Sequence, residues 1–227
     1  MVPSINATRI RLRSDSPEDT ERVGEVIASI EPAPILIAIE GELGAGKTRL
    51  VRGLARGLGV DVEDVSSPTF ILCCRHEGQT VSLAHLDAYR MTGTQELETL
   101  GFDEMLEEDN LVMAVEWATR IDDAIPNERI EIRLAHRTDT ERAIEIIDTR
   151  PCDKDRARLL DALTIRCNAR EASLVESNHC PSCGGSIEEN EARPFCSRRC
   201  RLADLGNWLG GRYSISRPMH NDDELSD

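Results

Sequence analysis

The sequence predicts a three-layer α/β domain built on a mixed sheet, followed by a small four-cysteine module. Three observations predict it. Residues 35–40 (ILIAIE) and 111–115 (LVMAV) are unbroken apolar runs, as expected of strands buried on both faces. Strand and helix periodicities alternate over the first 150 residues. Four of the eight cysteines crowd into residues 180–200, while Cys73, Cys74, Cys152 and Cys167 are scattered and take no role.

Along the chain, residues 9–13 (RIRLR) alternate as a half-buried strand does. Ser16, Pro17, Glu18 and Asp19 then supply an N-cap, a first-turn proline and first-turn acids, predicting a helix to about residue 30. Pro32 and Pro34 end it, and the strand at 35–40 runs directly into 41–48 (GELGAGKT). Leu50, Val51, Leu54 and Leu58 recur at helical spacing and stop at Gly59. Residues 69–75 and 80–86 predict a hairpin turning at 76–79. Residues 94–106 predict one helix containing Gly101, 111–115 a strand ending at Glu116, and 129–134 with 142–147 a second hairpin. The expected organisation is a domain over 1–150, a linker with one helix over 151–178, the cysteine module over 179–219 and an acidic tail over 220–227.

With 27 basic and 42 acidic side chains the formal charge is −15. Non-specific nucleic-acid affinity comes from neutralising phosphates with Lys and Arg, so the charge argues against such binding, direct DNA binding by the cysteine module is not favoured, and any nucleic acid is expected through a partner. No run approaches the ~20 apolar residues of a membrane span, and the first residues lack a secretory apolar core. No membrane contact is expected, and the expected setting is the cytoplasm, where cysteines stay reduced.

Residues 41–48 fit G-x-x-x-x-G-K-[ST] at every fixed position, between a strand and a helix. Gly41, Gly44, Ala45 and Gly46 would turn backbone N–H groups towards a phosphate, with the helix dipole aimed at the same anion. Lys47 would reach the β- and γ-phosphates and Thr48 would ligate Mg²⁺. The chain has only two lysines, Lys47 and Lys154, against 25 arginines, and keeps one where a compact ammonium suits phosphate. These features predict a P-loop NTPase domain holding a nucleotide's phosphates and Mg²⁺, the alternative being a glycine-rich strand-to-helix turn with no ligand. Glu116, closing an apolar strand, is the candidate second magnesium ligand, the alternative being an exposed acid at a strand end. Asp87 is a candidate for holding magnesium through water or orienting the attacking water, or else a cap. His85 reads as a packed strand histidine.

Cys180, Cys183, Cys196 and Cys200 form two close pairs, the spacing that gathers four thiolates around Zn²⁺. Around 40 residues need such a staple in place of a core. Free thiols or a redox C-x-x-C are the alternatives, and the redox reading lacks a βαβ context.

Five blocks in the same order resemble the TsaE (YjeE) family of tRNA threonylcarbamoyladenosine ATPases: GELGAGKT (41–48), SSPTFIL (66–72), HLDAYR (85–90), ELETLGFDEML (96–106) and VEW (115–117). The resemblance implies ATP/ADP at the loop, Mg²⁺ at Thr48 and Glu116, and catalytic Lys47, Asp87 and Glu116. It further implies a mobile segment around 67–70, with Thr20, Trp117 and Arg142 near the nucleotide. It also implies TsaB and TsaD as partners, tRNA being met only indirectly, with hydrolysis resetting a complex that modifies adenosine 37 of ANN-decoding tRNAs. CPSCGG (180–185) and RPFCSRRCRLADLGNWLGGRYSI (193–215) resemble the YacG zinc proteins, implying a structural zinc and contact with the DNA gyrase B subunit. Two readings follow: an ATPase serving tRNA modification, or a gyrase-binding inhibitor module with an ancillary P-loop domain. A small-molecule kinase ranks last, because no lid-like insertion separates the motifs.

Overall fold

The computed structural model describes residues 7–30, 33–91, 95–151, 153–167, 171–175 and 196–209. Their elements are β1 (Ala7–Ser14), α1 (Pro17–Ile30), β2 (Ile35–Gly41), α2 (Lys47–Leu58), β3 (Cys73–His76), β4 (Ser82–Asp87), α3 (Gln95–Leu100), α4 (Phe102–Leu106), β5 (Leu111–Glu116), β6 (Ile130–His136), β7 (Arg142–Asp148), α5 (Asp153–Cys167), β8 (Glu171–Val175) and α6 (Arg198–Leu209). The strands make one mixed sheet in the order β3-β4-β5-β2-β6-β7-β1-β8. β4, β5, β2 and β6 are parallel neighbours, and the outer strands pair antiparallel. The apolar runs at 35–40 and 111–115 are adjacent strands in the centre, buried along their whole length. No described helix is long and apolar enough to cross a membrane.

One face of the sheet is covered by α1, α2 and α5, whose Val26, Ile27, Leu50, Leu54, Leu159 and Leu163 meet Ile10, Ile37, Ile39 and Ile132. Helices α1 and α2 cross at backbone distance: a methyl group at Gly53 would stand 1.9 Å from the Glu21 carbonyl oxygen. On the opposite face, α3, α4 and residues 118–125 cover only the β4-β5-β2 half, burying Leu97, Phe102, Met105 and Ile121 against Leu36, Leu86 and Met113. The remaining half, over β6, β7 and β1, carries charge. Arg11 pairs in register with Glu145, Glu145 with Arg133, and Arg133 with Glu40.

The predicted helix start holds, since Asp19 N–H donates to Ser16 Oγ at 3.1 Å, and Gly59 closes α2 in the left-handed region. Three expectations are corrected. The helix expected over 94–106 is two, because Gly101 adopts φ 67° between α3 and α4. The strand expected from 69 begins at Cys73, because residues 69–72 form a turn in which Leu72 N–H donates to the Pro68 carbonyl at 2.7 Å. Residues 151–178, read as a linker with one helix, contain α5 seated on α1 and β8 hydrogen-bonded beside β1. Helix α6 was not anticipated. Cys180, Cys183 and the acidic tail lie outside the described residues.

Candidate nucleotide site

β2 delivers the chain to a loop whose turns need glycine. Gly44 and Gly46 have φ of 77° and 107°, and a side chain at Gly41 would meet the Leu134 carbonyl oxygen at 2.5 Å. Gly46 caps α2, so the helix N-terminus opens into the loop. Lys47 is buried there and donates from Nζ to the carbonyls of Gly41 (2.7 Å) and Glu42 (2.9 Å). Its ammonium sits 3.8 Å from the centroid of the Trp117 ring, a cation–π contact. Burial lowers its pKa, opposed by the charges of Glu116, Glu40 and Asp87.

Parallel pairing brings the carboxylates to the same end of the sheet, with Glu116 beside Ile39 and Asp87 beside Glu116. Thr48 Oγ1 donates to Glu116 Oε1 at 2.8 Å, and His85 Nε2 lies 2.9 Å from the same oxygen. The His85 ring is fully buried; a carboxylate oxygen accepts, so Nε2 is the donating nitrogen, and Nδ1 has no hydrogen-bond partner. Asp87 does two things. Its Oδ1 accepts from Tyr89 N–H at 3.0 Å as a cap, and its Oδ2 accepts from the hydroxyls of Ser67 (2.9 Å) and Thr69. It thereby ties the 67–69 turn to the sheet, beside Phe70, which is 86% exposed.

Thr20 lies under the loop: its Oγ1 is 2.7 Å from Ser14 Oγ, and its methyl is 3.6 Å from where a Gly46 side chain would start. Arg142 is held by the carbonyls of Thr138, Asp139 and Glu141 and extends Nη2 to 3.5 Å from the Gly44 carbonyl. Thr20, Thr48, Trp117 and Arg142 thus lie at the loop or against Lys47, Glu116 is bonded to Thr48, and Asp87 stands one strand further out beside Glu116. Sequence reasoning missed His136, whose ring flanks Gly44 with Nε2 3.4 Å from the Leu43 carbonyl, and Glu40, whose carboxylate accepts the Thr119 N–H. It also missed Tyr89, whose ring packs 5.1 Å from that of Trp117. Tyr89 stands within the HLDAYR block and was findable there, whereas His136 only ends an alternating strand. Burial pushes the Glu40 carboxyl up from 4.5 to about 7, against the opposing effects of its Thr119 hydrogen bond, Lys47 and Arg133.

The donor chemistry fits the implied metals. The Thr48 hydroxyl and Glu116 carboxylate stand side by side as hard oxygen donors of the kind Mg²⁺ takes. Cys196 and Cys200 bring their sulfurs to 3.5 Å, close to the ~3.8 Å edge of a tetrahedron of thiolates at ~2.3 Å from zinc. Among the described residues no cluster of three or more metal-type ligands occurs.

Strand, glycine loop, buried lysine, helix and neighbouring carboxylate on a mixed sheet define a P-loop NTPase-like α/β domain. Residues 14–144 match the family model of threonylcarbamoyl adenosine biosynthesis protein TsaE, and the chain belongs to that family. Residues 178–226 match the model of DNA gyrase inhibitor YacG. The tRNA threonylcarbamoyladenosine biosynthesis protein TsaE of Bacillus subtilis is 35% identical over 136 residues, 60% of this chain and 84% of its own length. Its namesake from Treponema pallidum is 33% identical over 137 residues, 60% and 99% of the two chains. The crystal structure of Bacillus subtilis YdiB superposes with a TM-score of 0.55 at 27% identity, covering 68% of this chain and 93% of that one.

Proposed function

We propose that this protein is an ATPase that works with TsaB and TsaD in forming threonylcarbamoyladenosine at position 37 of ANN-decoding tRNAs, touching tRNA only through those partners. The observation that carries the reading is the convergence of Lys47, Thr48, Asp87 and Glu116 on one glycine loop. The loop N–H groups of residues 44–46 and the α2 dipole receive the phosphates. Lys47 exchanges its two loop carbonyls for phosphate oxygens, a stronger charge-assisted acceptor. Trp117, stacked on Lys47, holds that ammonium in place, and Thr20 and Arg142 flank the loop from either side. Thr48 and Glu116 would hold Mg²⁺, which when bound neutralises charge on the transferring phosphoryl group. His85 fixes the Glu116 carboxylate from behind, and Asp87, oriented by Ser67 and Thr69, is placed to align the attacking water.

On this reading the domain spans 1–150, 151–178 attach to it, and 179–219 form a structural Zn²⁺ module on Cys180, Cys183, Cys196 and Cys200, with an acidic tail over 220–227. The expected setting is the cytoplasm. The match of 178–226 to YacG favours a second reading, in which the zinc module binds the gyrase B subunit and the P-loop domain is ancillary.

Titration with a fluorescent ATP analogue tests the site. Lys47→Ala is expected to fold as the parent does and bind roughly 10–100-fold more weakly, the loss of one or two charge-assisted bonds. Unchanged affinity in that variant overturns the assignment.

A further inference from the structure

Helix α6 belongs in sequence to the cysteine module, yet it sits on the P-loop domain. Arg201, the residue after Cys200, is only 4% exposed. Its Nη1 lies 2.7 Å from Asp122 Oδ1 and its Nη2 2.6 Å from Glu131 Oε1. Arg129 meets the same two carboxylates from the other side, each at 3.0 Å. Two guanidinium groups thus share two carboxylates, a third, Arg133, meets Glu131 Oε2 at 3.3 Å, and none of the five side chains is more than slightly exposed. Arg201 thus adds a second guanidinium to Asp122 and a third to Glu131, beside a buried strand. A single ammonium could not bridge both acids, whereas the planar fork spans them. The exposed Arg198–Asp123 pair at 2.8 Å lies at the rim and adds little.

Beneath this cluster a small cavity is lined by Glu40, Thr119, Glu131, Arg133 and Arg201. Glu40 immediately precedes the glycine loop, and its carboxylate holds the N–H of Thr119, two residues after Trp117.

We propose that the Asp122–Glu131 carboxylate pair is a receptor for a helix-borne arginine, occupied in cis by Arg201 of α6, and that this docking is coupled through the Glu40–Thr119 contact to the segment carrying Trp117. The cysteine module is then an intramolecular ligand of the P-loop domain. Cys196 and Cys200, whose sulfurs lie 3.5 Å apart, flank the first turn of α6, from which Arg198 and Arg201 project.

A double-mutant cycle in the full-length, zinc-loaded chain tests this, read by hydrogen exchange of the β6 amides for the sheet and of the Thr119 amide for the coupling. Arg201→Ala and Asp122→Asn are each expected to speed β6 exchange at least ~10-fold, and the double variant no more than either alone. Arg201→Lys is expected to behave as Arg201→Ala. The Thr119 amide is expected to lose protection in every variant. Additive effects, or β6 exchange untouched by Arg201→Ala, overturn the docking. Thr119 exchange that stays at the parent rate while β6 loosens overturns the coupling. Protection that falls on dilution of the parent chain makes the occupant a second copy and overturns the cis assignment.

Discussion

The two halves of the sheet's second face are covered in opposite ways. Over β4, β5 and β2 the cover is apolar, with Phe102, Met105 and Ile121 against Leu86 and Met113. Over β6, β7 and β1 it is a buried lattice of ion pairs: Arg9 and Arg11 on Glu145, Arg133 between Glu145 and Glu131, and Arg129 and Arg201 on Glu131 and Asp122. Apolar burial is non-directional and contributes in proportion to area. Buried ion pairs contribute little net stability relative to well-packed apolar residues, but removing one partner is costly. The apolar half therefore holds the fold, and the charged half selects what lies on it.

Breaking either half should give large losses of similar size for different reasons. Phe102→Ala, which opens a cavity, is expected to cost about 3–5 kcal/mol in urea unfolding. Glu131→Ala, which leaves Arg129, Arg133 and Arg201 around a missing carboxylate, is also expected to cost about 3–5 kcal/mol. A double replacement distinguishes them: Glu131→Leu with Arg201→Leu should recover much of the second loss, whereas no charge change restores the first.

Glu40 sharpens the comparison through pH. Its carboxyl titrates near 7 in the folded protein against 4.5 as a free side chain. The folded state therefore keeps a proton that the unfolded chain releases, and this contribution is fullest below about pH 4.5 and is lost as pH rises through 7. Glu40→Gln is expected to raise stability at pH 8 by about 1–3 kcal/mol and to leave it nearly unchanged at pH 4, seen as a pH-dependent gap in Tm. A gap of the same size at both pH values would refute the assignment. The smallest effect belongs to the exposed Arg75–Glu108 pair at 2.8 Å, where Arg75→Ala should leave the urea midpoint nearly unchanged and any difference should vanish in high salt.

Much of the apolar half and the loop was legible in the sequence, because both rest on local patterns. Unbroken apolar runs marked β2 and β5, Ser16 and Gly59 marked helix ends, and the fixed spacing of 41–48 marked the site. The charged half was not legible. Arg129, Glu131, Arg133 and Glu145 look like the polar side of alternating strands, and only the register that sets Arg133 beside Glu145 and Glu40 turns them into a buried layer. Likewise, Leu159 and Leu163 gave α5 a weak amphipathic signal, and nothing local showed that they complete the core under α1. Gly101 stands inside a helical pattern, where a glycine signals either tolerance or a left-handed break, and only the fold selects the break.

The most direct test of the account is multiple-turnover formation of threonylcarbamoyladenosine on tRNA by TsaB and TsaD, supplied with the full-length protein or with Lys47→Ala. The account predicts repeated turnovers with the parent chain and none beyond the first with Lys47→Ala. Equal turnover with the two proteins would contradict it.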